Sequence, residues 1–103
     1  MVRAEVRRLH ALGPLPAEKG ATEAGLVAHQ AALEAISGPL SDDEARLLME
    51  CFGPDGCFGL AWTLLHLIET SNASLTMAEP PERANEWVRR LWESAERLRA
   101  RAM

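Results

Sequence analysis

The chain has 103 residues, 48% of them hydrophobic and 25% charged, with a formal net charge of −4 at neutral pH. That length corresponds to one domain whose core needs no cross-links, and the composition is too apolar for disorder. The negative balance argues against a whole-chain attraction to nucleic acid or anionic membrane.

No stretch approaches the roughly 20 apolar residues of a membrane span. The most apolar one, Cys57 to Ile68, is interrupted by Thr63 and His66. The N-terminus carries Arg3, Glu5, Arg7 and Arg8 and lacks the apolar core of a secretion signal, so a cytoplasmic location is expected. Cys51 and Cys57 are too few for a disulfide scaffold, and a cytosolic pair is expected to be reduced. Lys19 is the only lysine among 11 basic residues, a bias that points to a GC-rich bacterial genome.

Three Gly-Pro pairs, at Gly13, Gly38 and Gly53, each follow a stretch with helical spacing and read as helix stops. The first predicted helix runs from about Arg3 to Leu12, with Val2, Val6 and Leu9 on one face. The second runs from Ala17 or Ala21 to Ser37. Its packing stripe is predicted to be Ala24, Val27, Ala28, Ala31 and Ala35, with Leu26, Leu33 and Ile36 beside it.

The third helix has the clearest start signal. Ser41 followed three residues later by Glu44 forms a capping box, and Asp42 and Asp43 complement the helix dipole. Its buried stripe is Ala45, Leu48, Met49 and Phe52. Asp55 is placed to cap a fourth helix from Gly56 to about Thr70, apolar around most of its circumference and therefore expected to be the buried central helix, with Trp62 in the core. Ser71 to Pro81 reads as a loop. A last helix from near Glu82 to about Arg101 carries Ala84, Trp87, Val88, Leu91, Ala95 and Leu98 as its core stripe, with Trp92 at the edge. No strand alternation is present, so the expected architecture is an all-α single domain, a compact bundle of four to five helices around the central one.

Four groups of residues are candidates for function. The acids Asp42, Asp43, Glu44, Glu50 and Asp55 belong to a segment, Ser41 to Glu79, with seven acids against Arg46 alone; they form a candidate face for a basic partner or simple dipole compensation. Trp92, at the edge of the last helix, is a candidate interface anchor. His66 and Glu69, three apart on one helix, are a candidate oriented base or polar ligand site, with a satisfied core-edge histidine as the bland alternative. Cys51 and Cys57 flank a turn. They read either as a thiol site favoured by a helix N-terminus or as two small apolar residues packing a corner, the better reading. His10 and His29 have no evident partners, and no metal or cofactor motif is present. The arginines of the last helix, Arg89, Arg90, Arg97, Arg99 and Arg101, are interleaved with Glu86, Glu93 and Glu96 and read as a salt-bridged face.

These features are expected of a small acidic protein-interaction module that binds and masks another protein, of the immunity, antitoxin or adaptor kind, an analogy of size and charge alone. The exposed edge of the last helix makes a homodimer reasonable. A helix-turn-helix regulator is the alternative, but the would-be recognition helix holds no Arg, Lys, Asn or Gln between Gly56 and Thr70, so nucleic acid is not expected as a partner. An enzyme or ligand-binding protein using His66 and Glu69 is the third reading.

Overall fold

The capping box at Ser41 forms as its spacing predicts, and it starts the segment on which the rest of the fold is hung. In the computed structural model, which describes residues 1–102, the helices are α1 (Ala4–Ala11), α2 (Glu23–Glu34), α3 (Asp42–Leu48), α4 (Leu60–Ile68), α5 (Ala73–Thr76) and α6 (Glu86–Ala102), with no strand among the described residues. Short 3-10 turns, Met49–Cys51 and Cys57–Gly59, extend α3 and precede α4. The fold is an all-α bundle: α1 packs on α2 and α3, α4 lies against α3 and α6, and α5 braces α6. No helix among the described residues is long and apolar enough to cross a membrane.

Ser41 Oγ accepts from the Glu44 backbone N–H at 3.1 Å, and the Glu44 carboxylate accepts from the Ser41 N–H at 2.9 Å. The same carboxylate also receives the Arg3 backbone N–H and Nε, both at 2.9 Å, and Nη2 at 3.3 Å. Glu44 is therefore buried with four donors around it, and it ties the start of α1 to the start of α3. The guanidinium hydrogen bond of Arg3 dominates and holds the carboxyl down to about 2, against the opposing effect of burial.

Each Gly-Pro pair does follow a helix end, and after α1 the predicted stop is complete. Gly13 adopts φ +86 and its N–H closes on the His10 carbonyl at 3.0 Å. The core gathers Val6, Leu9, Leu33, Leu48, Leu64, Ile68 and Leu91 from five helices.

Several boundaries and faces depart from expectation. Helix α2 begins at Glu23, because the Thr22 side chain accepts from the Gly25 N–H at 3.0 Å. It buries Ala32, Leu33, Ile36 and His29, while Ala24, Val27, Ala28, Ala31 and Ala35 face outward. Periodicity finds both stripes, and the larger residues win the core because each buried CH₂ contributes about 0.8 kcal/mol. Helix α6 starts at Glu86 and not near Glu82, since Asn85 Oδ1 accepts from the Trp87 N–H at 2.8 Å. The stretch expected as a loop contains the single turn α5. Leu98, predicted for the core stripe, is exposed.

Replacing Glu44 by Gln keeps the shape and removes the charge. We expect a loss of about 2 kcal/mol at neutral pH. A carboxyl with a folded pKa below its ordinary value stabilises above that value. The gap between parent and Glu44→Gln should thus hold above pH 4.5 and close as pH falls towards about 2. Urea unfolding of both proteins across this window checks it; a gap independent of pH would show that the charge is not what Arg3 and Ser41 recognise.

Candidate functional site

The corner between α3 and α4 collects contacts from distant segments. The Leu15 N–H donates to the Cys51 carbonyl at 2.8 Å, and Asn85 Nδ2 donates to the Gly53 carbonyl at 2.8 Å. Gly53 passes so near Leu15 that a Cβ there would stand 2.0 Å from the Leu15 carbonyl oxygen, so only glycine fits. Asp55 accepts the Cys57 N–H at 2.9 Å and the Glu18 N–H at 3.0 Å. The Glu18 carboxylate in turn accepts the Phe58 N–H at 2.8 Å.

These two carboxylates hold an uncommon backbone. Cys57 and Phe58 have φ +45 and +52, followed by Gly59 at +94. Left-handed conformation disfavours side-chain-bearing residues, and each such residue costs on the order of 1–3 kcal/mol. The outcome is that Cys57 turns into the core while Phe58 is pushed outward, 64% exposed. Four residues on, at the start of α4, Trp62 is 46% exposed. Helix α4 is thus not buried all round: Ala61, Leu64, Leu65 and Ile68 face the core, and Trp62, Thr63 and His66 face solvent. Trp62, expected in the core, is corrected to the surface.

From Trp62 a groove of about 220 Å³ runs between α4 and α6, lined by Trp62, His66 and Glu69 on one side and Arg90, Glu93 and Arg97 on the other. Its aromatic wall is fixed from behind. Trp62 meets the buried Trp87 edge to face at 4.9 Å, and Trp87 stacks on Phe52 at 6.2 Å. The Arg90 guanidinium lies 5.5 Å from the Trp62 ring centre and 5.1 Å from that of Trp87, and Glu86 anchors its Nη2 at 2.8 Å. The Trp87 indole N–H is buried with no hydrogen-bond acceptor among the described residues.

His66 and Glu69 share the groove but do not pair as predicted. Glu69 Oε2 accepts from Ser94 Oγ at 2.9 Å, and the His66 ring lies 6.1 Å from that of Trp62. The other predicted residues are dispersed. Asp42 accepts the Asn72 N–H at 3.2 Å, Asp43 meets Arg46 at 3.5 Å and Glu50 meets His10 at 3.1 Å. Glu44, one of the acids of the predicted face, is buried and cannot present itself to a partner. Trp92 is half-buried on α6. His29 is buried, its Nδ1 2.9 Å from the Gly25 carbonyl.

Both thiols are free and buried. Burial, reinforced by Glu50, pushes Cys51 up to about 11. Burial, with Asp55 and Glu18, raises Cys57 as well. These environments oppose the thiolate. No cluster of three or more His, Cys, Asp or Glu placed to hold a metal occurs among the described residues. The groove offers stacking, ion pairing and hydrogen bonding to a bound group.

No protein-family model, characterised protein or solved structure matches this chain. The functional reading therefore rests on its own residues. Phe58 and Glu18 are the site residues that sequence spacing did not indicate.

The strain at Phe58 has a measurable consequence. Asparagine tolerates the left-handed region better than phenylalanine. Because the ring is mostly in solvent, Phe58→Asn should leave stability unchanged or raise it by up to about 1 kcal/mol in urea unfolding. A loss larger than that would mean the ring is packed against the fold.

Proposed function

We propose that this chain is a protein-interaction module that masks a basic partner, with Phe58 and Trp62 at the centre of the contact. The observation that carries this reading is an exposed phenylalanine held on a strained, carboxylate-clasped turn. Strain of this kind persists only where the surrounding structure enforces it, and it is concentrated at functional sites. Aromatic and arginine side chains are the residue types that concentrate binding energy in interfaces, and Arg90 is already stacked beside Trp62.

The surroundings set the sign of the partner. Glu18 and Asp55 border Phe58, while in the groove Glu69 and Glu93 are matched by Arg90 and Arg97, and Glu86 is paired with Arg90. The two carboxylates at the Phe58 end favour a partner whose matching surface is apolar and carries Lys or Arg there. The net charge of −4 adds long-range attraction to the same partner. The proposed mode is occupancy of the partner's surface, as an immunity, antitoxin or adaptor protein acts, without catalysis.

The test places a photo-crosslinking phenylalanine analogue at position 58 in cells of the source organism, with the same analogue at the exposed Glu79 as control. We expect one basic protein joined through position 58 and not through position 79. With that partner purified, Phe58→Ala and Trp62→Ala should each weaken binding about 30-fold, the equivalent of about 2 kcal/mol. Full affinity in both variants, with loss only on charge reversal at Asp42, Asp43 and Glu50, would move the working face to α3.

A further inference from the structure

The outward stripe of α2 leads to a second surface, separate from the aromatic edge. Val27 is 59% exposed, and the alanines around it form an uncharged strip along the helix. Beside the strip lies an apolar groove of about 280 Å³, formed by Arg8 and Leu12 of α1 with Ala28, Ala31, Ala32 and Ala35 of α2. Leu12 is 42% exposed at its edge. The strip thus has a projecting residue, Val27, on one flank and a hollow on the other.

The flanks are also opposite in charge. At about 100° per residue, Glu23, Gln30 and Glu34 fall on the Val27 side of the strip, away from α1. Arg8 stands on the other side and makes no ion pair among the described residues. Among the described residues the Glu34 carboxylate receives only the Gln30 side-chain amide, at 3.0 Å.

We propose that this face binds a second copy of the chain, with the two α2 helices packed in parallel about a two-fold axis. The symmetry follows from the flanks. When two identical strips meet in parallel, each flank of one copy faces the opposite flank of the other; in an antiparallel pair, like flanks meet. Parallel pairing therefore sets Val27 of one copy over the other's hollow and Arg8 opposite the other's Glu34. The levels along the helix agree. Gly13, just past α1, lies 3.4 Å from His29, so Leu12 sits near the middle of α2. Arg8 lines the same hollow as Ala35, the residue next to Glu34. Alanines let the two backbones approach closely, and both contacts occur twice by symmetry. Helix α2 is about 18 Å long, so the contact is smaller than the roughly 800 Å² per partner of a standard interface. Association is consequently reversible and concentration-dependent.

Sedimentation equilibrium of the full chain from micromolar to millimolar concentration should show a monomer–dimer equilibrium. Val27→Glu should leave only monomer while circular dichroism stays that of the parent. Arg8→Glu and Glu34→Arg should each weaken the dimer at least fivefold, and the two together should restore it. Added surface cysteines then report the orientation, the native Cys51 and Cys57 being buried: in a parallel pair Ala24→Cys and Ala35→Cys each cross-link to themselves on oxidation. A monomer at millimolar concentration, a Val27→Glu protein that still dimerises, or a double charge swap no better than the single changes would overturn the proposal. So would self-cross-linking of Ala28→Cys without that of Ala24→Cys and Ala35→Cys, which is the antiparallel pattern.

Discussion

The carboxylate of Glu44 is the constraint on which the arrangement of helices depends. A short α3 of seven residues has little stability of its own, because helices this short do not repay nucleation. The four donors around Glu44 fix its first turn and bring Arg3, and with it α1, to a defined place. With α1 placed, Val6 and Leu9 are buried against α2 and α3, and α3 has a platform on which to stack Ala45 and Leu48. A buried charge is tolerable only when paired and hydrogen-bonded, which makes this contact highly selective for geometry. Removing the Arg3 side chain leaves the buried Glu44 carboxylate without its charged partner.

The signals that were legible in the sequence are those whose physics is local. Ser41 and Glu44 satisfy each other within one turn, and Gly13 stops α1 through its own φ, so neither needs the rest of the chain. Stripes with the same period as the buried face were legible as stripes but not as inside or outside. On α2 the alanine strip and the Leu33–Ile36 face both repeat correctly, and the choice between them belongs to whichever face α1 and the rest of the core can cover. Helix α4 posed the converse difficulty. It is apolar nearly all round, so periodicity cannot say which large residue emerges, and Trp62 does so because Trp87 and Arg90 stand beneath and beside it. The start of α6 moved to Glu86 because Asn85 caps it while also holding the Gly53 carbonyl, a contact 32 residues away.

The candidate site was less legible than the fold for the same reason. Phe58 reads as one more apolar residue of a buried helix. It becomes the most exposed aromatic ring only because its N–H is taken by Glu18, 40 residues earlier in the chain, and that of Cys57 by Asp55. His66 and Glu69 were found by spacing and do line one groove, yet their spacing said nothing of Ser94, which takes Glu69 away from His66. The acidic residues likewise looked like one face in sequence. In the fold they divide between a buried clasp, a turn anchor and surface pairs with His10 and Arg46.

Glu18 and Asp55 join stability to the proposed recognition. A domain of this size is stable by only about 5–15 kcal/mol, so two left-handed residues use a large share of that margin. The strain is sustained by hydrogen bonds to two carboxylates at the protein surface, which also provide part of the negative rim around Phe58. One pair of side chains thus determines both how far the ring projects and what charge a partner meets around it. The α2 strip contributes no residue to the α4–α6 groove. A dimer through α2 would therefore leave both aromatic edges free, and a partner carrying two matching surfaces would gain from the linkage without any new contact. Self-association and masking then reinforce each other through concentration, while each remains separable by substitutions that do not touch the other face.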